Sequence, residues 1–393
     1  MATSKAHQKP PSKQAEAKFM EKFGKQFGGD ALVDTSKAEH YEVIPTGSID
    51  LDLALGVGGW VIGRITEVYG QPGIGKTTLM LYAVAEAQRK YPKRKIAWID
   101  MEGTFDLAWA AMHGVILGDR FHVYTPDSAE DVADALKEMI RSGLYVMVVV
   151  DSIGAMIPEA EKEKDADEAT IALQAKIVTR MLKIAGPEIR RHGVALVCIN
   201  QLRANISAYG KDTQASGPWY LRFCTTHKIE LKSGGESIRT KVDEDAQRNV
   251  GHPIAALVER NKVAVPNKRA KLTLFHTWSE KYGNPGIDRA DEAVTIGLRY
   301  KIIPQRGGNY DLPLTDLTVK GRPNLVDAMR EHPETIDFIR EQALAIVSGE
   351  IVMDGDTDPL DEEGEAKEEA TGMEALAGAG SGLFANSVEG TKD

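Results

Sequence analysis

Five apolar runs without polar alternation dictate the fold class of this chain: ITEVYG (65–70), KIAWID (95–100), FHVYT (121–125), YVMVVVD (145–151) and VALVCIN (194–200). A strand that carries no polar face is buried on both sides. Between these runs lie segments with helical periodicity, Lys76–Lys90, Ser128–Arg141 and Ala169–Arg191. Strands that alternate with helices predict a parallel, doubly wound α/β sheet. After Asn200 the runs HKIELKS, AALVERN and RAKLTLFH follow with fewer helices, which predicts an antiparallel extension of the same sheet. A smaller α+β segment, 286–349, is expected next, with helices Asn324–Met329 and Glu334–Val347.

The two ends of the chain read differently. Residues 1–17 are polar and rich in Pro and Lys, and are expected to lack structure. The segment from Ala15 to Phe27 sets Phe19, Met20, Phe23 and Phe27 at helical spacing, and Gly28-Gly29 ends the pattern. An aromatic stripe on a short helix needs a surface to bury it, either the chain's own body or a neighbouring subunit. The last segment, 350–393, is rich in Gly, Ala and acids and is expected to be disordered. The net charge of −10 comes from this end. Residues 350–374 hold eleven acids and one base, and the rest of the chain carries 47 of each sign. The body is therefore neutral, and a nucleic-acid site on it must be a local basic stripe.

With 42% apolar positions in 393 residues the chain can bury a sizeable core. No run approaches the ~18 apolar residues of a membrane span, and the first residues lack the apolar stretch of a secretion signal. Two cysteines, Cys198 and Cys224, give no disulfide framework, and there is no CxxC or HExxH spacing. A cytosolic, reduced protein without a metal cluster is the expectation.

Chemistry is carried first by Gly70-Gln71-Pro72-Gly73-Ile74-Gly75-Lys76-Thr77, which satisfies GxxxxGK[ST] between a buried strand and a helix. Glycines let backbone N–H groups turn inward as an anion nest, and the helix N-terminus adds its positive end. Lys76 would reach the β- and γ-phosphates, and the Thr77 hydroxyl, followed by Thr78, would ligate Mg²⁺. Asp151 closes the apolar run Val146–Val150, where a carboxylate would hold the same Mg²⁺ shell; alone it could equally be a polar strand end. Glu102 follows its strand by two residues, at the carboxyl ends where a parallel sheet presents its chemistry, and reads as a base or as a helix-capping acid. Gln201 ends the strand 194–200 and offers an amide to a γ-phosphate, or is a polar strand end.

Together these stretches resemble the bacterial-type RecA recombinases, through IPTGSIDLDLALGVGGWVIGRITEVYGQPGIGKTTL, AWIDMEGTFDLAWAAMHGV, VVVDSIGAMIPEAE, CINQLR, ERNKVAVP and GRPNLVDAMREHPETIDFIREQ. The resemblance runs from about 44 to 346. It implies an ATPase core at 44–285 of the RecA-like P-loop kind, an N-terminal oligomerisation helix within 1–43, and a small C-terminal domain at 286–349. It makes Glu102 the base that activates water and Gln201 the γ-phosphate sensor. It places Asp106 and Trp109 at the nucleotide, with Trp where the family has Tyr. Arg260-Asn261-Lys262 stands where the family has a Lys-x-Lys pair that reaches the γ-phosphate of the adjacent subunit; without the resemblance it reads as a basic strand end. Phe223 matches a position that transmits state between subunits.

Two DNA-binding loops are implied, 158–172 and 202–219. The second offers Arg203 and Lys211 to phosphates, Asn205 and Gln214 for hydrogen bonds, Gly210 and Gly217 for flexibility, and Ile206 as an apolar wedge. It could also be a mobile polar surface loop. The first departs from the family: Glu159, Glu161, Glu163, Asp165, Asp167 and Glu168 would repel a polyanion, and only Lys176, after the loop, aligns with a basic family position. The implied function is ATP-dependent recombination: a filament on single-stranded DNA, pairing with homologous duplex DNA, and DNA-dependent ATP hydrolysis, with Mg²⁺, in the cytoplasm beside the nucleoid. The alternative is an ATP-switched DNA-coating scaffold with little strand exchange. A hexameric helicase or clock-type ATPase suits the fold but not the ERNK and C-terminal segments.

Overall fold

The computed structural model describes residues 12–27, 41–161, 168–204, 213–215, 218–241, 247–279 and 281–351. The chain divides into two compact units, one ending at Glu42 and one beginning at Val43. The first unit contains α1 (Lys13–Phe27). Its start corrects the expectation that residues 1–17 lack structure and lies two residues before the expected helical segment from Ala15. Ser12 takes the N-terminal position, its side-chain Oγ accepting from the Ala15 amide at 3.3 Å, and Glu16 suits the positive end of the helix. Phe19 and Phe23 pack ring to ring at 5.4 Å, and Phe19 and Met20 stay half exposed.

The second unit opens with β1 (Val43–Ile44), α2 (Ile49–Leu55) and β2 (Trp60–Val61), with β1 and β2 pairing antiparallel. Then come β3 (Ile65–Gly70), α3 (Lys76–Lys90), β4 (Lys95–Asp100), α4 (Leu107–Met112), β5 (Phe121–Tyr124), α5 (Ala129–Arg141) and β6 (Tyr145–Asp151). They are followed by α6 (Glu168–His192), β7 (Ala195–Ala204), β8 (Thr213–Ala215), α7 (Trp219–Cys224), β9 (His227–Ser233), β10 (Ile238–Lys241), β11 (Gln247–Asn261), β12 (Arg269–Phe275) and β13 (Gly286–Ile287). The C-terminal part holds α8 (Arg289–Arg299), a small sheet of β14 (Gln305–Arg306), β15 (Asn309–Asp311) and β16 (Thr318–Lys320), then α9 (Arg322–Glu331) and α10 (Pro333–Val347).

The main sheet runs β13-β12-β11-β9-β3-β7-β6-β4-β5, with β8 beside β7 and β10 beside β11. From β5 to β9 all neighbours are parallel. The antiparallel extension thus begins one strand later than expected, at β11, because α7 carries the chain back before β9 starts. Val146 to Val150 are fully buried, and alternate residues serve opposite layers. Val149 packs with Met80, Ala83 and Val84 of α3, whereas Val148 and Val150 pack with Leu136 of α5 and Val178 and Leu182 of α6. Each such side chain contributes about 1.5–3 kcal/mol of burial, which is why the apolar runs read so clearly.

A third apolar cluster joins Ile49 and Leu53 of α2 to Val294, Leu325, Met329 and Ile339. Polar contacts reinforce it. Arg340 Nε meets Asp52 Oδ2 at 2.5 Å and its Nη2 donates to the Gly58 carbonyl at 2.6 Å. Glu292 caps the start of α2 from far along the chain, accepting from Ser48 Oγ at 2.5 Å and from the amides of Ile49 and Asp50 at 3.1 and 3.2 Å. The short helices α2, α4 and α7 escaped the periodicity reading because six or seven residues show too little repeat.

Candidate nucleotide site

Strand β3 is buried along its length and delivers Gly70 to the carboxyl edge of the sheet. A side chain at Gly70 would put its Cβ 2.4 Å from the Leu231 carbonyl oxygen, so the loop must start with glycine. Gly75 has φ 102°, and a Cβ there would fall 2.6 Å from Leu274 Cδ2. These two glycines let the loop turn tightly onto the N-terminus of α3, whose first amides have no partner inside the helix. Gln71, Pro72 and Gly73 are exposed at the turn, while Ile74 and Thr78 point inward and are buried. Lys76 folds back, donating to the carbonyls of Gly70 and Gln71 at 3.0 and 2.9 Å. Burial lowers its pKa, and Asp151 and Glu102 oppose that shift.

The carboxyl ends of four adjacent strands then converge. Thr77 Oγ1 donates to Asp151 Oδ2 at 3.0 Å. Asp151 is pushed up to about 6, by burial first, while the Thr77 hydrogen bond pulls it down and the charges of Glu102 and Asp100 raise it further. Glu102 Oε1 accepts from Gln201 Nε2 at 2.7 Å and from Ser152 Oγ at 2.8 Å. Asp100 shapes the turn that carries Glu102, accepting from the amides of Glu102, Gly103 and Phe105. Five residues singled out from the sequence, Lys76, Thr77, Glu102, Asp151 and Gln201, thus share one corner. Ser152 was missed, although it directly follows Asp151. His252 was missed too. Its Nε2 lies 3.4 Å from the Ile74 carbonyl and its Nδ1 2.8 Å from His276 Nε2, a contact across β11 and β12 that no local pattern announces.

Asp106 is exposed and caps α4, accepting from the amides of Ala108 and Trp109 at 2.8 and 3.0 Å. Trp109 is half-buried against the core, its ring 4.4 Å from that of His113. Lys176 is exposed on α6. The strand predicted to end at Asn200 continues to Ala204 and pairs with β8, setting Arg203 opposite Gln214, so part of the expected second loop is ladder. Asn205, Ile206, Lys211 and Gly217 lie outside the described residues, as do 162–167 of the first loop.

Arg260 and Lys262 are not brought to this corner. Register sets Arg260 beside Lys228, and Lys228 beside Glu67, three residues before Gly70 on β3. At about 3.3 Å per residue that is roughly 10 Å back along the strand, towards the opposite edge of the sheet. Arg260 Nη1 donates to the Arg222 carbonyl and Lys262 Nζ to the Phe223 carbonyl, both at the end of α7. The Arg260 guanidinium also sits 5.7 Å from the half-exposed Phe223 ring.

Comparison with known proteins agrees with this geometry. Residues 14–279 match the family model of the RecA N-terminal domain. Protein RecA of Roseiflexus castenholzii is 32% identical over 344 residues, 86% of this chain and 93% of that protein. Protein RecA of Herpetosiphon aurantiacus is 33% identical over 342 residues, covering 86% and 91%. Protein RecA of Francisella tularensis subsp. novicida is 36% identical over 290 residues, covering 73% and 76%. Matched through its phosphate loop, its sheet and most of the length of these relatives, the chain belongs to the RecA family.

Proposed function

We propose that this chain is an ATP-dependent homologous recombination protein, which coats single-stranded DNA as a filament, pairs it with homologous duplex DNA and exchanges strands while hydrolysing ATP to ADP and phosphate. One observation carries the catalytic part: Lys76, Thr77, Asp151, Glu102 and Gln201 meet at the carboxyl ends of β3, β4, β6 and β7. The family is one of nucleotide-binding P-loop proteins. Loop amides from Gly70 to Thr78 would cradle the phosphates, with Lys76 exchanging its two carbonyl contacts for phosphate oxygens. Asp106 and Trp109 would flank the base and ribose.

The residues present suit Mg²⁺. Asp151 is a desolvated carboxyl with two further acids near it and a hydroxyl as neighbour, a donor set that a small hard cation relieves. Thr77 and Asp151 would hold the ion, which when bound neutralises charge that develops on the transferring phosphoryl group. Glu102 is exposed and uses only Oε1 for its two hydrogen bonds among the described residues, so Oε2 is available to take a proton from water. Gln201, already bonded to Glu102, would respond to the γ-phosphate and pass its state into β7 and the segment beyond.

Arg260 and Lys262 would act on a neighbour's nucleotide, since their own phosphate loop lies at the other edge of the sheet. Cations supplied in trans make ATP binding a property of the seam between subunits, and α1, with Phe19 and Met20 half exposed, would serve as the oligomerisation arm. Arg203, Asn205, Ile206, Lys211, Gly217 and Lys176 would meet DNA. The division into core (44–285), C-terminal domain (286–349) and acidic tail (350–393) belongs to the same reading, as does action in the cytoplasm. No helix among the described residues is long and apolar enough to cross a membrane. Family membership favours recombination over a scaffold without strand exchange. The test is ATP turnover with and without single-stranded DNA, followed by pairing of a labelled oligonucleotide with a homologous duplex. Stimulated turnover with pairing is expected; stimulated turnover without pairing would leave the scaffold.

A further inference from the structure

A glutamate in the middle of a buried parallel strand is an expensive choice. Glu67 sits inside ITEVYG and is 1% exposed, on a strand whose Val68 and Ile65 serve the cores on opposite faces. A buried carboxylate costs several kcal/mol unless its oxygens are satisfied. Here one oxygen is: Oε1 accepts from Asn200 Nδ2 at 2.8 Å, whereas Oε2 has no hydrogen-bond partner among the described residues. Packing alone would be served better by valine or leucine. Asn200 is itself fully buried, and its Oδ1 accepts from the Gln201 amide at 2.9 Å. Gln201 in turn donates through Nε2 to Glu102. Four residues, on β3, β7 and the turn after β4, are thus joined head to tail, from the interior of β3 to the proposed base.

At its other end, Glu67 lies beside Lys228 in the ladder and Lys228 beside Arg260, which rests on the Arg222 carbonyl of α7. The cations whose charge reaches Glu67 are Lys228 and Arg222, and Glu259 opposes them. Lys228 is held by Glu259 at 2.7 Å and lies 4.3 Å from the Tyr69 ring. Arg222 belongs to α7, the helix that follows the second proposed DNA loop and whose last carbonyls carry Arg260 and Lys262. We infer that Glu67 and Asn200 are a buried positioning pair, which aims Gln201 at Glu102 and ties that aim to the placement of α7. This rests on the reading of Glu102 and Gln201 given above. A shift of α7 would change the field at Glu67, and the hydrogen-bonded series would carry the change to Gln201 without altering the phosphate loop.

The test uses the full chain with Asn200→Asp, Glu67→Gln and the two combined, reading kcat and KM for ATP with and without single-stranded DNA, and the melting temperature of each. Asn200→Asp sets two carboxyl groups face to face and should lower DNA-stimulated kcat about tenfold or more, with KM for ATP within about twofold. Adding Glu67→Gln restores a donor and an acceptor in reversed order, and should recover most of the loss. Glu67→Gln alone keeps an acceptor for Asn200 but removes the ionisable carboxyl beside Lys228; it should lower DNA stimulation about threefold at unchanged KM. Variants that turn over like the wild type, or kcat values that merely follow melting temperature through the set, would overturn the inference. A wild-type chain without DNA-stimulated turnover would instead sink the reading of the site on which it stands.

Discussion

The two edges of the central sheet use the same device for opposite ends. At the carboxyl edge, Lys76 rests on the carbonyls of Gly70 and Gln71, beside Asp151 and Glu102. At the other, Arg260 and Lys262 rest on the last carbonyls of α7, with no acid bonded to either among the described residues. The first edge gathers cation, hydroxyl and carboxylates, the parts that the proposed phosphoryl transfer needs. The second holds Arg260 and Lys262 against backbone carbonyls and the Phe223 ring. The difference teaches that the ladder register holds Arg260 and Lys262 away from the phosphate loop of their own chain, which is what the proposed action on a neighbour's nucleotide requires.

The comparison breaks most decisively at the trans cations. Arg260→Ala with Lys262→Ala should cost about 10³–10⁵ in ATP turnover. Lys76→Ala should be similarly inactive. An equimolar mixture of the two should recover activity at about one quarter of its seams, by random assortment of subunits. If the mixture stays dead while both proteins join the same filaments, the edges do not meet across a seam. Next in size, Glu102→Gln should lower turnover about 10²–10⁴-fold while ATP analogue binding persists, measured by fluorescence titration. Undiminished turnover would remove Glu102 from the chemistry.

A pH experiment sharpens the contrast by loading one edge. Asn261, between the two cations, donates to the Leu55 carbonyl at the end of α2, and Glu292 caps the start of that helix. Burial pushes Glu292 up to about 8, against the Ser48 hydrogen bond, with Asp50 raising it further. The folded state therefore favours the protonated carboxyl, and the stability this gives is lost as pH rises through about 8. Thermal melts should show a loss of a few kcal/mol between pH 6 and 9 that Glu292→Gln flattens. Equal slopes in both proteins would refute it. The smallest effect concerns the acidic tail. Cutting after Gly349 should tighten single-stranded DNA binding a few-fold at low salt and little at 1 M, where the Debye length falls to about 3 Å. Equal affinity at low salt would end the idea that the tail competes with DNA.

Much of the carboxyl edge was legible because its parts are contiguous in the chain. A phosphate loop is eight successive residues, and Asp151, Glu102 and Gln201 each follow a buried apolar run that marks where a parallel strand stops. The strand β7 ran four residues past its apolar run, since Gln201 still pairs with Gly70 of β3 and Leu202 to Ala204 gain partners from β8 that an apolar pattern cannot reveal. The start of α1 at Lys13 was hidden for a similar reason: a polar first turn held by Ser12 carries no periodic signal.

The amino-acid order alone determined the class of sheet, the position of the phosphate loop and the identity of the residues at each strand end, because burial and backbone strain act on neighbours in sequence. Tertiary structure decided which strand ends become neighbours. It set Gln201 and Ser152 on one oxygen of Glu102, laid His252 beside Ile74, matched Glu67 with Asn200, and held Arg260 and Lys262 at the far edge. Those pairings depend on strand order and register, which arise from the packing of whole layers and from no single stretch of residues.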